Sequence, residues 1–286
     1  MNAKRFYLDG SYDVPVVSSG AALPSGFLVQ PGTYAVAGVA YDMTDPGVYF
    51  FAGLSPANAG RRAVTDSDPL EMASVFSIAS KHGARDNGLS IAQLNYEARS
   101  RFVGISCGVV SPWLLSWLTA AGFTARIVRF LTMETPNGYD DGHVAVEIFR
   151  NGAWMLVDAD LGRFYRSLSG AALSARDFVA AAPGWSLSVS PLTPDPAKID
   201  TVGPLANPGG MDYASYSWNV LGNDARKQDW TQRICQAVGI DAADGNTYWL
   251  LPEGAEGRKT WVEAQSLRWK VDVDPGVWND RFYLPA

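Results

Sequence analysis

The spacing of apolar and polar positions changes character several times along the chain. From Lys4 to Phe51 short runs rich in Tyr, Phe and Val are punctuated by the turn dipeptides Asp9-Gly10, Pro31-Gly32 and Pro46-Gly47. That pattern predicts a small antiparallel β module. At Asp66 the period becomes helical. Asp68 is a capping residue, Pro69 fits the first helical position, and Leu70, Met72, Ala73, Phe76 and Ala79 form one stripe that stops at Gly83. This predicts a helix ending at His82, whose imidazole would sit against the negative end of the helix dipole. A second helix is expected after the Ser90 cap, with Ile91, Leu94 and Ala98 facing inward. A third, amphipathic helix starts somewhere from Cys107 to Ser111, because Pro112 belongs in or just beyond an opening turn, and it ends at Gly122.

Period two takes over from there. "FTARIVRFL" reads as a strand, and "HVAVEIF" and "AWMLVDA" read as a hairpin closed by Asn151-Gly152. Ser190 to Gly210 holds five prolines and three glycines without apolar periodicity, and reads as a linker. Beyond it "NDARKQDWTQRICQAVG" is expected to be one helix with Cys235 buried and inert, followed by β-like text. The division is therefore a β-rich module at 1–65, a core at 66–189, a linker at 190–210 and an extension at 211–286.

Composition narrows the classes of function. The 286 residues are 47% hydrophobic and 18% charged, which describes a folded globular chain. A net charge of −6 with scattered Lys and Arg argues against nucleic acid as a partner. Apolar runs are interrupted too early to span a bilayer, so a soluble protein is expected. No apolar segment follows the first basic residues, so no secretory signal is expected either. Two Cys and two His give no zinc-like spacing, and no glycine loop is placed to cradle phosphates, so no metal or cofactor is expected. The 10 Trp suit a core first and a glycan-binding groove second.

Candidate chemistry gathers at three positions. A cysteine where a loop enters a helix has its thiolate favoured by unpaired backbone N–H groups, which makes Cys107 a candidate nucleophile. A nucleophilic thiol needs a base, and the base an orienting acid. His143 opens the first hairpin strand and Asp158 closes the second. A two-residue turn at Asn151-Gly152 puts the position opposite His143 near residue 160, so Asp158 lies within about one residue pair of it. Asp160 shares that face, and period two alone does not choose between the two acids.

Four segments in this region resemble the transglutaminase-like superfamily of papain-like cysteine enzymes. They are Cys107 at a helix start, the run Ala120-Ala121-Gly122-Phe123-Thr124-Ala125-Arg126 closing that helix, His143 with Glu147-Ile148, and Trp154 with Val157-Asp158. The likeness covers roughly Pro69 to Gly162. It departs at Ala145, where the family often has an aromatic residue, and at Ala159-Asp160, where it often has Pro-Thr. The resemblance implies an α+β papain-like core, with a helix bearing the Cys packed on an antiparallel sheet bearing His and Asp, and β-rich extensions on both sides. It also implies a triad of Cys107 as nucleophile, His143 as base then acid, and Asp158 rather than Asp160 as orienter. The Cys107 backbone N–H would serve the oxyanion hole, with Gln93, Asn95 or Tyr96 as side-chain candidates. The expected activity is hydrolysis of an amide or peptide bond through a thioester, on a peptide, protein or other acyl substrate. The alternatives are acyl transfer to an amine and, in another class, a carbohydrate-directed enzyme or glycan-binding module.

Overall fold

The computed structural model describes residues 68–74, 76–98, 103–136, 141–192, 224–272 and 274–283, with the backbone of further strands at 5–7, 32–36, 39–43, 48–52, 61–65 and 199–201. The chain is α+β and divides into two compact units. Unit 1 comprises residues 1–123, 159–162 and 192–216, and unit 2 the remainder.

Unit 1 begins with β1 (Arg5–Tyr7), the hairpin β2 (Gly32–Val36) and β3 (Val39–Met43), and then β4 (Val48–Ala52) and β5 (Arg61–Thr65). β4 pairs antiparallel with β5 but parallel with β1, so this module is mixed rather than purely antiparallel. The Asp9-Gly10 and Pro46-Gly47 turns, and Pro31, lie outside the described residues. The expected linker contributes a strand of its own: β13 (Ile199–Thr201) pairs with β5.

The helical stretch after Asp68 is shorter than its periodicity suggests. Asp68 Oδ1 accepts from the Leu70 N–H at 2.9 Å, and α1 (Pro69–Ser74) and α2 (Phe76–Ala79) follow. The chain then turns extended as β6 (Ser80–His82), which pairs in parallel with β7 (Val103–Ile105). His82 is therefore on a strand, not at a helix end. Hydrogen bonding to a neighbouring strand, a long-range term, outweighs local helical spacing here. In α3 (Ile91–Glu97) and the turn after it, Leu94 and Ala98 are buried, whereas Ile91, at the helix's first residue, is exposed.

α4 (Cys107–Ala120) starts at Cys107 itself, with Pro112 in its second turn. It ends with the Gly122 N–H bonded to the Thr119 carbonyl and the Phe123 N–H to that of Leu118. Gly122 has φ 86°, the left-handed conformation that glycine adopts without steric cost. Phe76, Trp113 and Trp117 pack as three ring pairs with centroids 4.7 to 5.3 Å apart, the centre of this unit's core.

Unit 2 is built on an eight-stranded sheet in the order β12-β11-β10-β9-β8-β14-β15-β16. Its strands are β8 (Ala125–Leu131), β9 (Gly142–Arg150), β10 (Ala153–Asp158), β11 (Arg163–Ser167), β12 (Leu187–Pro191), β14 (Ala237–Asp241), β15 (Thr247–Leu250) and β16 (Trp269–Asp272). All neighbours are antiparallel except β15 and β16. The β9–β10 turn has φ 52° at Asn151 and 80° at Gly152, as a type I′ hairpin requires. The helices are α5 (Ala175–Ala181), α6 (Asp224–Ile234), α7 (Lys259–Ala264) and α8 (Pro275–Phe282).

Alternation along the strands divides the core. Val128, Phe130, Val238 and Ile240 join Phe178 and Trp278 in one cluster, while Leu131 and Ala237 join Trp249, Val262 and Val271 in another. Residues one apart on a strand thus serve opposite faces, which is why β9 reads as a near-continuous apolar run. The expected helix over residues 223–239 ends at Ile234. Residues 237–241 instead form β14, which hydrogen-bonds to β8 on one side and β15 on the other.

At the β14–β15 pairing, Gly239 faces Trp249, and a Cβ there would stand 2.7 Å from the indole ring. Because backbone and a fully buried indole meet at this point, Gly239→Ala is expected to cost about 1–3 kcal/mol of stability. Chemical denaturation would measure it, and an unchanged midpoint would contradict this packing. No described helix is long and apolar enough to cross a membrane.

Candidate active site

Strand pairing assembles the buried polar group at the end of the hairpin. Val157 pairs with Val146, so Asp158 sits diagonally across from His143, and the two side chains meet with His143 Nε2 2.9 Å from Asp158 Oδ2. Both residues are buried. An ionised carboxylate can only accept hydrogen bonds, so the ring proton lies on Nε2 and the lone pair of the neutral imidazole lies on Nδ1. That is the tautomer a general base at Nδ1 requires.

Other groups hold this pair in register. Phe130, directly opposite His143 on β8, lies parallel to the imidazole within 16°, and Trp230 of α6 meets it edge-on with centroids 5.4 Å apart. A Cβ on Gly142 would be 2.7 Å from the Phe130 carbonyl oxygen, so glycine lets β9 close on β8 immediately before the histidine. Asp158 Oδ2 also accepts from the Tyr165 hydroxyl at 3.3 Å. Tyr165 in turn accepts from Arg163 Nε at 2.8 Å, and Arg163 Nη2 donates to Thr231 Oγ1 at 2.9 Å. Burial pushes the Tyr165 phenol well above its ordinary pKa; Arg163 opposes this and Asp158 adds to it, so the phenol keeps its proton and remains a donor. Burial works against the Arg163 cation, but Tyr165, Asp158 and the nearby Cys235 outweigh it and its pKa is raised.

Arg163, Tyr165, Trp230 and Thr231 were not singled out by the sequence. The alternation of Arg163 and Tyr165 just after the Asp158 turn is a legible signal for two of them. Nothing local marks Trp230 or Thr231, which come from a helix nearly 70 residues downstream.

In unit 1, Cys107 is a half-buried free thiol at the first residue of α4. Helix geometry gives the N–H groups of Cys107 and Gly108 no intrahelical acceptor, and the Ser106 side chain does not cap them. Donors and dipole therefore converge at the thiol's end of the helix. Cys235, by contrast, is buried in the core of unit 2.

Asp160 engages a different partner from Asp158. Both of its carboxylate oxygens lie 2.8 to 2.9 Å from His82 Nδ1. Cys107 Sγ and an Asp160 oxygen are within 4.8 Å of each other, and these are two potential metal donors in unit 1. The oxyanion candidates have other contacts. Gln93 Oε1 accepts from the Ser90 N–H while Ser90 Oγ accepts from the Gln93 N–H, a capping box at the start of α3. Asn95 Oδ1 accepts from the indole N–H groups of Trp113 and Trp117, tying α3 to α4. The Tyr96 side chain lies outside the described residues.

The Arg126 and Glu147 of the quoted motifs meet each other, with Arg126 Nε donating to Glu147 Oε2 at 2.8 Å. Every described tryptophan is buried or half-buried, as a core role requires. These features define an α+β chain with a largely antiparallel sheet, a buried His–Asp pair and a thiol at a helix start. The chain matches no protein-family model, no curated protein and no solved structure.

Proposed function

We propose that this chain is a cysteine-nucleophile acyl-transfer enzyme with a papain-like, transglutaminase-like core, hydrolysing an amide or peptide bond through a thioester. The observation that carries the reading is the buried His143–Asp158 pair, an imidazole held in one tautomer by a carboxylate that is itself held by Tyr165 and Arg163. The position of Cys107 at the first residue of α4 adds a thiol suited to attack.

In this reading Cys107 gives its thiol proton to His143 and forms a bond from Sγ to the carbonyl carbon, and the C=O electron pair moves to oxygen. The Cys107 backbone N–H donates to that oxyanion. Collapse breaks the C–N bond, and the proton carried by His143 goes to the departing amine. His143 then takes a proton from water, which attacks the thioester; the C–S bond breaks, the carboxylic acid leaves, and Sγ takes the proton back from His143. Asp158 orients the ring and stabilises the imidazolium, without itself taking the proton.

A panel of peptide and simple amide substrates, read with and without a primary amine, tests the proposal. Acid products with a covalent adduct on Cys107 support hydrolysis, amide products formed from the added amine make transfer the activity, and labelling confined to Cys235 rejects the thiol assignment. Asp158→Ala is expected to lower kcat by about 10²–10⁴-fold. Asp158→Asn should lose about as much, because its amide can turn an N–H toward Nε2 and reverse the tautomer that the base needs. A loss in Asp158→Asn far smaller than in Asp158→Ala would show that an acceptor oxygen, not the carboxylate charge, is what Asp158 supplies.

A further inference from the structure

Within unit 1 the thiol has an acidic group near it that the proposed mechanism does not use. Within unit 1, His82 on β6 lies opposite Ile105 on β7, and β7 runs through Ser106 directly into Cys107. Asp160 places a carboxylate oxygen within 4.8 Å of Cys107 Sγ. Its side chain is only 2% exposed, against 20% for His82, and the imidazole grips both of its oxygens. The pairing gives the carboxylate a fixed position, since a short side chain held at both oxygens cannot swing away.

A carboxylate this close opposes the thiolate, because two negative charges at about 5 Å repel appreciably even in water. A cation that joins it when substrate binds relieves that repulsion. In an acyl-enzyme, an ammonium on the carbon next to the carbonyl lies about 3 Å from the sulfur by covalent geometry. A charge-assisted hydrogen bond from that nitrogen to a carboxylate spans about 2.8 Å more. An oxygen within 4.8 Å of Sγ is inside that reach.

We infer that Asp160, held in place by the positioning residue His82, determines specificity by binding the free α-ammonium of the acyl donor, so that the substrate is an α-aminoacyl amide or a peptide attacked at its N-terminal residue. This inference rests on the thiol-enzyme reading above.

The test uses the full-length chain at pH 8 with aminoethyl methanethiosulfonate, sulfonatoethyl methanethiosulfonate and neutral iodoacetamide, each adduct located by mass spectrometry. Relative to a small free thiol, Cys107 should prefer the cationic over the anionic reagent by about tenfold. Asp160→Asn should abolish that preference and quicken labelling by iodoacetamide, while Asp160→Glu should keep it. Misfolding does not produce this combination. With amides, the native chain should favour a free α-amine over its N-acetylated counterpart, and Asp160→Asn should remove most of that preference. A native chain without charge preference at Cys107, or an Asp160→Asn chain that retains it, overturns the assignment of Asp160. Charge preference at Cys107 with no turnover of either amide overturns the thiol-enzyme reading instead.

Discussion

Cys107→Ala is expected to lower kcat/KM toward an amide or peptide substrate by about 10⁴-fold or more, because nucleophile and base act as a unit and removal of either leaves only binding and oxyanion stabilisation. The same change should be almost silent in thermal melting, since Cys107 is half-buried at a helix start rather than embedded in a core. Cys235→Ala should behave in the opposite way. Cys235 packs with Ile234 and Val238 in the core of unit 2, so its loss removes packing and leaves turnover within about threefold. Steady-state kinetics and calorimetry on the two variants separate these effects. Turnover that survives Cys107→Ala would end the thiol mechanism, and Cys235 would then become the residue to test.

The largest effect on stability is expected at Glu147. This fully buried carboxylate accepts from Arg126 Nε at 2.8 Å, from the Ala175 N–H at the start of α5 at 2.5 Å, and from the Tyr283 hydroxyl at 2.8 Å. It therefore ties β8, the first turn of α5 and the end of α8 to the centre of the sheet. Burial and the Glu147 charge push the Tyr283 phenol far above its ordinary pKa, so it remains a donor across the working pH range. Arg126 has a second anchor in the Phe282 carbonyl and stacks over Trp154 at 3.7 Å, so it cannot move to solvent when its partner is removed. Glu147→Ala leaves the half-buried Arg126 guanidinium without its carboxylate, and the Ala175 N–H and the Tyr283 hydroxyl without this acceptor. The expected cost is about 3–5 kcal/mol, or a fall in Tm of roughly 10 °C. Glu147→Gln keeps an acceptor oxygen and should lose less. A melting temperature within about 2 °C of the native value in Glu147→Ala would contradict this account. Arg126 and Glu147 belong to the motifs that suggest the family resemblance, and in this chain their contacts are those of a structural pair.

The parts of the fold that rest on local rules are the parts legible in the sequence. Asp68 and Ser90 cap their helices because their side-chain oxygens reach the first N–H groups, and Gly122 and Asn151-Gly152 terminate elements because they accept positive φ at little cost. The diagonal placement of His143 and Asp158 follows from hairpin register, which a two-residue turn determines. Tertiary structure decided the rest. His82 and residues 237–239 carry helical spacing yet lie in strands, because the hydrogen bonds from β7 and β8 are supplied by segments distant in sequence. The same distance hid the partners of the candidate site. Trp230 and Thr231 reach His143 and Arg163 from a helix far along the chain, and Asp160 is held by a histidine 78 residues before it. Capping, turns and strand register are short-range and can be read from neighbouring residues; the positions of buried charges depend on contacts that exist only once the chain has closed on itself.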